Sequence, residues 1–324
     1  MSYPPPFSFK GLNTYSLYDR PSKVSVQDLG SPVAPGSSMR EFFSCLPSQL
    51  AAADLLSVAR AWADAVKSGK RVIFAMGAHV IKVGLNPLLI DLMERGLISA
   101  LAINGAGIIH DSEIAMAGKT SEDVSQVLGT GAFGAARETG EFLNGAINAA
   151  ARLDQGLGQT VGQMLLAEKF PYNEASILAS AARLDIPVTV HVALGTDIIH
   201  IHPAADGASI GKASFYDFRI FCSLVAGLQD GVYFNVGSAV LLPEVFLKAL
   251  TAVRNVGHEV TRLVTVNLDF IRQYRPLTNV VNRPTLEGGK GYNLTGHHEI
   301  MIPLLASALL EELASAGQID VQNQ

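Results

Sequence analysis

The 324-residue chain is 48% hydrophobic and 16% charged, so its body must bury about three quarters of the surface it would expose unfolded, and disorder is excluded there. A formal net charge of -5, from Lys+Arg 24 against Asp+Glu 29, leaves no basic footprint for nucleic acid and no polybasic membrane patch. Two cysteines, Cys45 and Cys222, build neither a disulfide framework nor a Cys-based zinc site and read as those of a reducing, cytoplasmic protein.

Residues 1–45 are rich in Pro, Ser and Tyr without periodicity and read as an arm lying over the body or a partner subunit. The prolines of MSYPPPFSFK stand where a signal peptide needs an apolar run. A helix is expected from an N-cap at Ser48 through AAADLLSVARAWADAVKSG, stopped by Gly69. RVIFAM (71–76) reads as a buried strand, NPLLIDLMERG as a helix entered at Pro87, and ISALAIN (98–104) as a second strand ending in a Gly-rich turn. Residues 120–170 read as helical around a Gly-broken loop at 129–134.

The second half repeats the alternation. NEASILASAARLD is a helix and IPVTVHVAL a strand; SFYDFRIFCSLVAGL is a helix and GVYFNV a strand. PEVFLKALTAVRNVG and RLVTVNL follow as helix and strand, and IMIPLLASALLEELAS closes the body. Continuous apolar strands alternating with helices are the pattern of a parallel sheet covered on both faces, a Rossmann-like doubly wound α/β fold. No composition shift divides 46–316, so one α/β domain is expected there, with a frayed tail at 317–324. No apolar stretch reaches the roughly 18 residues that span a membrane.

Open parallel sheets bind ligands beyond the carboxyl ends of their strands. GAHVIKVGLNP follows Met76 and GAGIIHDSE follows Asn104, and small residues there let backbone N–H groups approach a phosphate. Neither is the G-x-G-x-x-G fingerprint, and glycine also simply ends strands. Gly237 and Ser238 stand at another strand end and are expected cofactor-binding residues, with Glu244 in a first helical turn. GTDIIHIHPAADGAS brings Asp197, His200 and His202 together. A His-x-His pair on a strand would face one side and suit a metal, or one ring packs while the other is solvated.

The long polar segment after Val266 carries Asn267, Asp269, Arg272, Arg275, Arg283, a Gly-flanked Lys290 and His297-His298-Glu299. Three arginines so close suit capture of a carboxylate or phosphate, or ordinary salt bridges. Lys290 is a phosphate-binding or surface lysine unless its pKa falls far enough for imine chemistry. His297 and His298 offer an acid and a base, or one of them caps the last helix.

The order of these segments resembles deoxyhypusine synthase and its bacterial relatives, from about Arg71 to Ala308. The motifs that carry it are MGAHVIKVGLNPLLIDLMERG, ALAINGAGIIHDSE, IPVTVHVALGTDIIHIH, YFNVGSAVLLPEVF, VTVNLDF, GGKG and GHHEIMIPLL. The resemblance implies a Rossmann-like fold, a homotetramer, and NAD as cofactor. It implies cofactor contacts at Gly77, Ala78, His79, Asn104, Gly105, Ala106, Asn267 and His297. It further implies Lys290 as imine-forming residue and Asp197 as substrate contact.

Where that family has a Glu-Glu pair this chain has Ile109-His110, and its Gly-Ser-Asp stretch is replaced by RQYRPLTNVV. An acidic polyamine site has become a His- and Arg-bearing one. That argues against a true deoxyhypusine synthase and for a small amine or hydroxy compound bearing a carboxylate or phosphate. His298 or His110 is the expected acid–base group. A metal-assisted hydrolase or isomerase on His200, His202 and His297 is one alternative, and a non-catalytic dinucleotide-binding protein is another.

Overall fold

The computed structural model describes residues 3–315, so the tail expected at 317–324 lies outside the described residues. Residues 3–37 run over the surface with several turns and one short 3-10 helix at Val26–Asp28, and Tyr3, Phe7, Phe9, Tyr15 and Tyr18 are exposed. The segment read as periodless nevertheless ends in a helix, α1 (Met39–Cys45), opened by a capping box between Ser38 and Glu41. Phe43 anchors it to the body.

Then come α2 (Leu50–Lys67), β1 (Val72–Met76), α3 (His79–Lys82), α4 (Asn86–Glu94), β2 (Ala100–Asn104) and α5 (Gly105–Ala117). Next are α6 (Val124–Val127), α7 (Arg137–Leu153), α8 (Leu157–Glu168), α9 (Ile177–Arg183) and β3 (Val188–His191). The chain continues through α10 (Gly207–Ala226), β4 (Val232–Val236), α11 (Leu241–Asn255) and β5 (Val264–Asp269). A short turn α12 (Tyr274–Pro276), β6 (Lys290–Thr295) and α13 (His298–Ser315) complete the described fold. The cap expected at Ser48 is displaced, because the Ser48 N–H donates to the Asp28 carbonyl and Gln49 becomes the N-cap of α2.

The sheet is parallel throughout, in the order β3-β2-β1-β4-β5-β6. Alternate residues of each strand feed two cores, because successive side chains point to opposite faces. Phe74, Met76, Phe234 and Val266 pack with Trp62, Leu89, Ile108 and Leu305 on one side. Ile73, Ala75 and Tyr233 pack with Phe221, Phe246 and Leu250 on the other. Strand order reverses between β1 and β4, the place where such sheets open a crevice.

Two polar devices fix the regions around the site. Asp111, fully buried on α5, accepts from Asn86 Nδ2, Ser176 Oγ and the N–H groups of Ile177 and Leu178. It thereby binds α5 to α4 and to the first turn of α9; burial pushes its carboxyl up to about 6 while these bonds hold it down. Across the other half of the sheet, three register-matched asparagines form an amide ladder. Asn235 Nδ2 donates to Asn267 Oδ1 at 2.8 Å, and Asn267 Nδ2 donates to Asn293 Oδ1 at 2.9 Å.

The ladder explains β6, which lies inside the segment read as a polar loop. It is an edge strand, only partly buried, so its sequence KGYNLT carries no apolar run. Gly291 passes so close to the Val281 carbonyl that a Cβ would collide with it.

Candidate functional site

At the reversal of strand order, Gly77 and Gly237 touch: a Cβ on Gly77 would stand 2.5 Å from the Gly237 carbonyl oxygen. Their N–H groups are not free to cradle phosphate. Gly77 donates to Val236 and Gly237 to Leu268, each extending a ladder by one residue. Gly237 has φ +64, a backbone state that side chains disfavour, and its bare Cα receives the His298 ring.

His298 is 0% exposed, and neither ring nitrogen has a hydrogen-bond partner. Its Nε2 stands 4.0 Å from Asp269 Oδ1, and its ring meets His79 edge-on at 5.4 Å. Burial lowers its pKa, with Asp269 opposing. His297, largely exposed, stacks in parallel with Phe270. Thus His79, His297 and His298 do gather with Gly77 and Gly237.

Other expected contacts at this edge are spent on structure. Ser238 Oγ accepts the Leu242 N–H and so caps α11. Asn267 is 1% exposed with its amide committed to the ladder.

The second grouping lies beyond β2 and β3. Asn104 caps α5 by accepting the Gly107 N–H at 3.0 Å, so α5 starts directly at the strand end, with Gly105 and Gly107 buried and Ala106 partly exposed. The N–H groups of Gly105 and Ala106 have no carbonyl one turn earlier. Beside them opens a cavity of about 550 Å³, lined by α5, the 119–136 segment and residues 196–198. The Asp197 carboxylate lies flat on Gly105, where any Cβ would overlap it. Asp197 Oδ2 is buried without a partner, and burial raises this carboxyl above its ordinary value while His200 pulls it down.

His110 faces the cavity one turn into α5. Its Nδ1 is 2.6 Å from Thr120 Oγ1, which in turn lies 2.5 Å from Glu113 Oε2; Thr139 Oγ1 donates to Glu113 Oε1. A hydroxyl has a single hydrogen, and the carboxylate can only accept it. Thr120 therefore donates to Glu113 and accepts from His110, so the imidazole hydrogen sits on Nδ1. That leaves a lone pair on Nε2. Burial lowers the His110 pKa, with Lys82 assisting and Glu113 opposing, so the ring is neutral near pH 7.

Several expected residues do not join either grouping. His200 and His202 sit on and just after a 3-10 turn, Ile198–Ile201, so they share no strand face. His200 Nδ1 accepts the N–H groups of Gly195 and Asp197, and His202 Nδ1 accepts that of Ala204. Among the described residues no group of three His, Cys, Asp or Glu could hold a metal, and His297 stands beside Phe270 instead. Arg275 lies 3.4 Å from Glu244, Arg283 donates to Asn279, and Asn279 donates to Glu244. These residues lock the 274–285 segment onto α11, while Arg272 is exposed. No three-arginine clamp forms.

Lys290 opens β6 opposite Val264, the first residue of β5, and so lies at the amino edge of the sheet. It lines a groove with Lys70, Asp230 and Arg262 across the sheet from the glycines. Strand direction alone puts it there. The residues that sequence reasoning missed are Lys82, Glu113, Lys119 and Thr120. A helix continued past Gly105 would have put His110 and Glu113 on one face.

No family model matches the chain, and no curated protein matches it in sequence. Solved structures do match in shape. A protein from Methanococcus maripaludis S2 assigned to the LOR/SDH type aligns over 81% of this chain and 70% of its own, with TM-score 0.51 and 16% identity. A protein from Entamoeba histolytica assigned as a deoxyhypusine synthase aligns over 87% of this chain and 96% of its own, at TM-score 0.50 and 12% identity. Unliganded AgrE aligns over 79% of this chain at TM-score 0.50 and 15% identity, and the chain spans only 32% of its length. With the parallel order β3-β2-β1-β4-β5-β6 and helices on both faces, the chain has the deoxyhypusine synthase-like fold.

Proposed function

We propose that the protein is an NAD-dependent enzyme that removes hydride from a carbon bearing an amine or hydroxyl, with His110 as the general base. The observation that carries the reading is the His110–Thr120–Glu113 chain in a cavity beside the first turn of α5. A neutral imidazole with Nδ1 committed and Nε2 open is the form a general base requires.

NAD is supported by the fold and by the strand-order reversal, where Gly77 and Gly237 meet without side chains between them. Ala78, Asn104, Gly105, Ala106 and the His79–His297 edge are the residues that would hold it. Bound nicotinamide supplies a two-electron acceptor for the hydride. Asp197 orients the amine or hydroxyl, and Nε2 of His110 takes its N–H or O–H proton as the C=N or C=O bond forms. His298, sealed under Gly237, shapes the floor of the nucleotide side and keeps water out. We read the protein further as a cytoplasmic homo-oligomer whose catalytic body is 46–316, with 1–45 as an arm.

The test is a thermal-shift and fluorescence titration with NAD, followed by a screen of amines, amino acids and hydroxy acids for NADH production. Binding of NAD by both methods, with substrate-dependent reduction, is the expected result. No NAD binding by either method overturns the reading.

A further inference from the structure

We propose that the α5 cavity takes a ligand with an ammonium at one end and a carboxylate at the other, the ammonium on Asp197 and the carboxylate between Lys82 and Lys119. This rests on the reading of that cavity as the substrate site, and it moves anion recognition from the arginines to two lysines.

The charges lining the cavity are Lys82, Lys119, Glu113, Glu122 and Asp197, with His110 neutral. Most of the acceptors are already occupied. Glu113 receives Thr120 and Thr139, and Glu122 receives the Gly134 N–H at 2.9 Å. Asp197 lines the cavity half-buried, with Oδ2 packed on Gly105 and, among the described residues, no lysine or arginine paired with it. A half-buried carboxylate without a cation is costly, and an ammonium that reaches it from the cavity offsets that cost.

The two lysines are the complementary feature. Among the described residues neither Lys82 nor Lys119 has a carboxylate within 4.0 Å, whereas Lys70, Lys212 and Lys248 do. Lys82 lies close enough to His110 to lower its pKa. Two lysines without carboxylate partners thus line the same cavity as Asp197, which has no lysine or arginine paired with it among the described residues.

That arrangement discriminates between ligand classes. A diamine would satisfy Asp197 but press its second ammonium on the lysines. A dicarboxylate would satisfy the lysines but press its second carboxylate on Asp197. Like-charge repulsion disfavours both, so the zwitterion is selected by exclusion as well as by attraction. In reaction terms, the ammonium-bearing carbon is held next to Asp197 and the base while the distant carboxylate fixes the chain.

A matched series separates these cases by isothermal titration of the full chain, with and without NAD: 5-aminovalerate, cadaverine and glutarate share a five-carbon chain and differ only in end groups. 5-Aminovalerate is expected to bind at least about tenfold more tightly than either, the difference that a single charge-assisted hydrogen bond makes. Lys82→Met with Lys119→Met should raise its Kd about tenfold or more while cadaverine binds as well or better. Asp197→Asn should do the converse with glutarate. Both lysines are exposed, so the variants are expected to melt like the parent, and Lys82→Met alone serves if the double variant does not. Equal binding of cadaverine or glutarate, or no binding by any of the three, overturns the proposal. Loss of NAD binding with the zwitterion preference intact would sink the dehydrogenase reading alone.

Discussion

His110 and His298 are both pushed below the ordinary imidazole pKa by burial, yet they do different things. His110 has one nitrogen committed to a hydroxyl that is itself committed to a carboxylate, and the residue lines a cavity. His298 has both nitrogens unpartnered and no exposed surface. A lowered pKa alone therefore does not mark a base. What marks one is a defined tautomer together with a route for the substrate to the free nitrogen.

The sharpest way to break the comparison is turnover. Replacing the proposed base, His110→Gln should lower kcat about 10²–10⁴-fold with KM little changed, while His298→Gln should cost less than about tenfold. The opposite order, measured as NADH production on the substrate found by screening, would exchange the two roles.

His191 extends the comparison to stability. It is buried at β3, edge-on to Phe221, and desolvation pulls its pKa from 6.5 to about 3. Between those values the unfolded chain binds a proton that the folded chain refuses. The stability it leaves intact above pH 6.5 is therefore lost as pH falls from 6.5 toward about 3, at about 1.4 kcal/mol per pH unit. Asp217, raised to about 7, runs the other way, since its folded form holds a proton that the unfolded form releases. The difference between parent and His191→Leu in denaturant melts isolates the histidine, and a pH-independent difference would refute its neutral burial.

A smaller effect is expected at His298. Its two unpartnered nitrogens cost stability, so His298→Leu should stabilise the fold by about 1–3 kcal/mol and raise Tm. A lower Tm would mean that the Leu268 carbonyl or Asp269 serves as a partner to the ring. Thr120→Val removes the acceptor that holds the Nδ1 hydrogen. ¹⁵N chemical shifts of His110 should then move from one tautomer to a mixture, with the fold intact. Unchanged shifts would leave the Thr120 role without support. Lys290→Met should change activity less than about twofold, since Lys290 stands at the amino edge, and borohydride should trap no adduct on it.

The fold was largely legible in the sequence. β1, β2 and β4 are mostly apolar runs because both faces of each strand are covered, β5 alternates as VTVNLD, and the helices between them announce themselves by Pro87, Gly96 and their apolar stripes. β6 was not legible: an edge strand buries only part of its surface, so Lys290–Thr295 reads like a polar loop. The site was half legible. Its glycines and histidines follow the right strands, but whether a glycine N–H is free or a serine hydroxyl is spent depends on partners far along the chain.

Local periodicity and composition thus determined a parallel α/β sheet, where its strands end, and which polar segments follow them. Only the tertiary structure decided that Lys290 lies at the amino edge, that Arg275 and Arg283 brace α11, and that Thr120 and Glu113 order His110. The reason is physical: strand formation is read from neighbours two residues away, whereas a hydrogen's place on an imidazole is set by groups that only folding brings within about 3 Å.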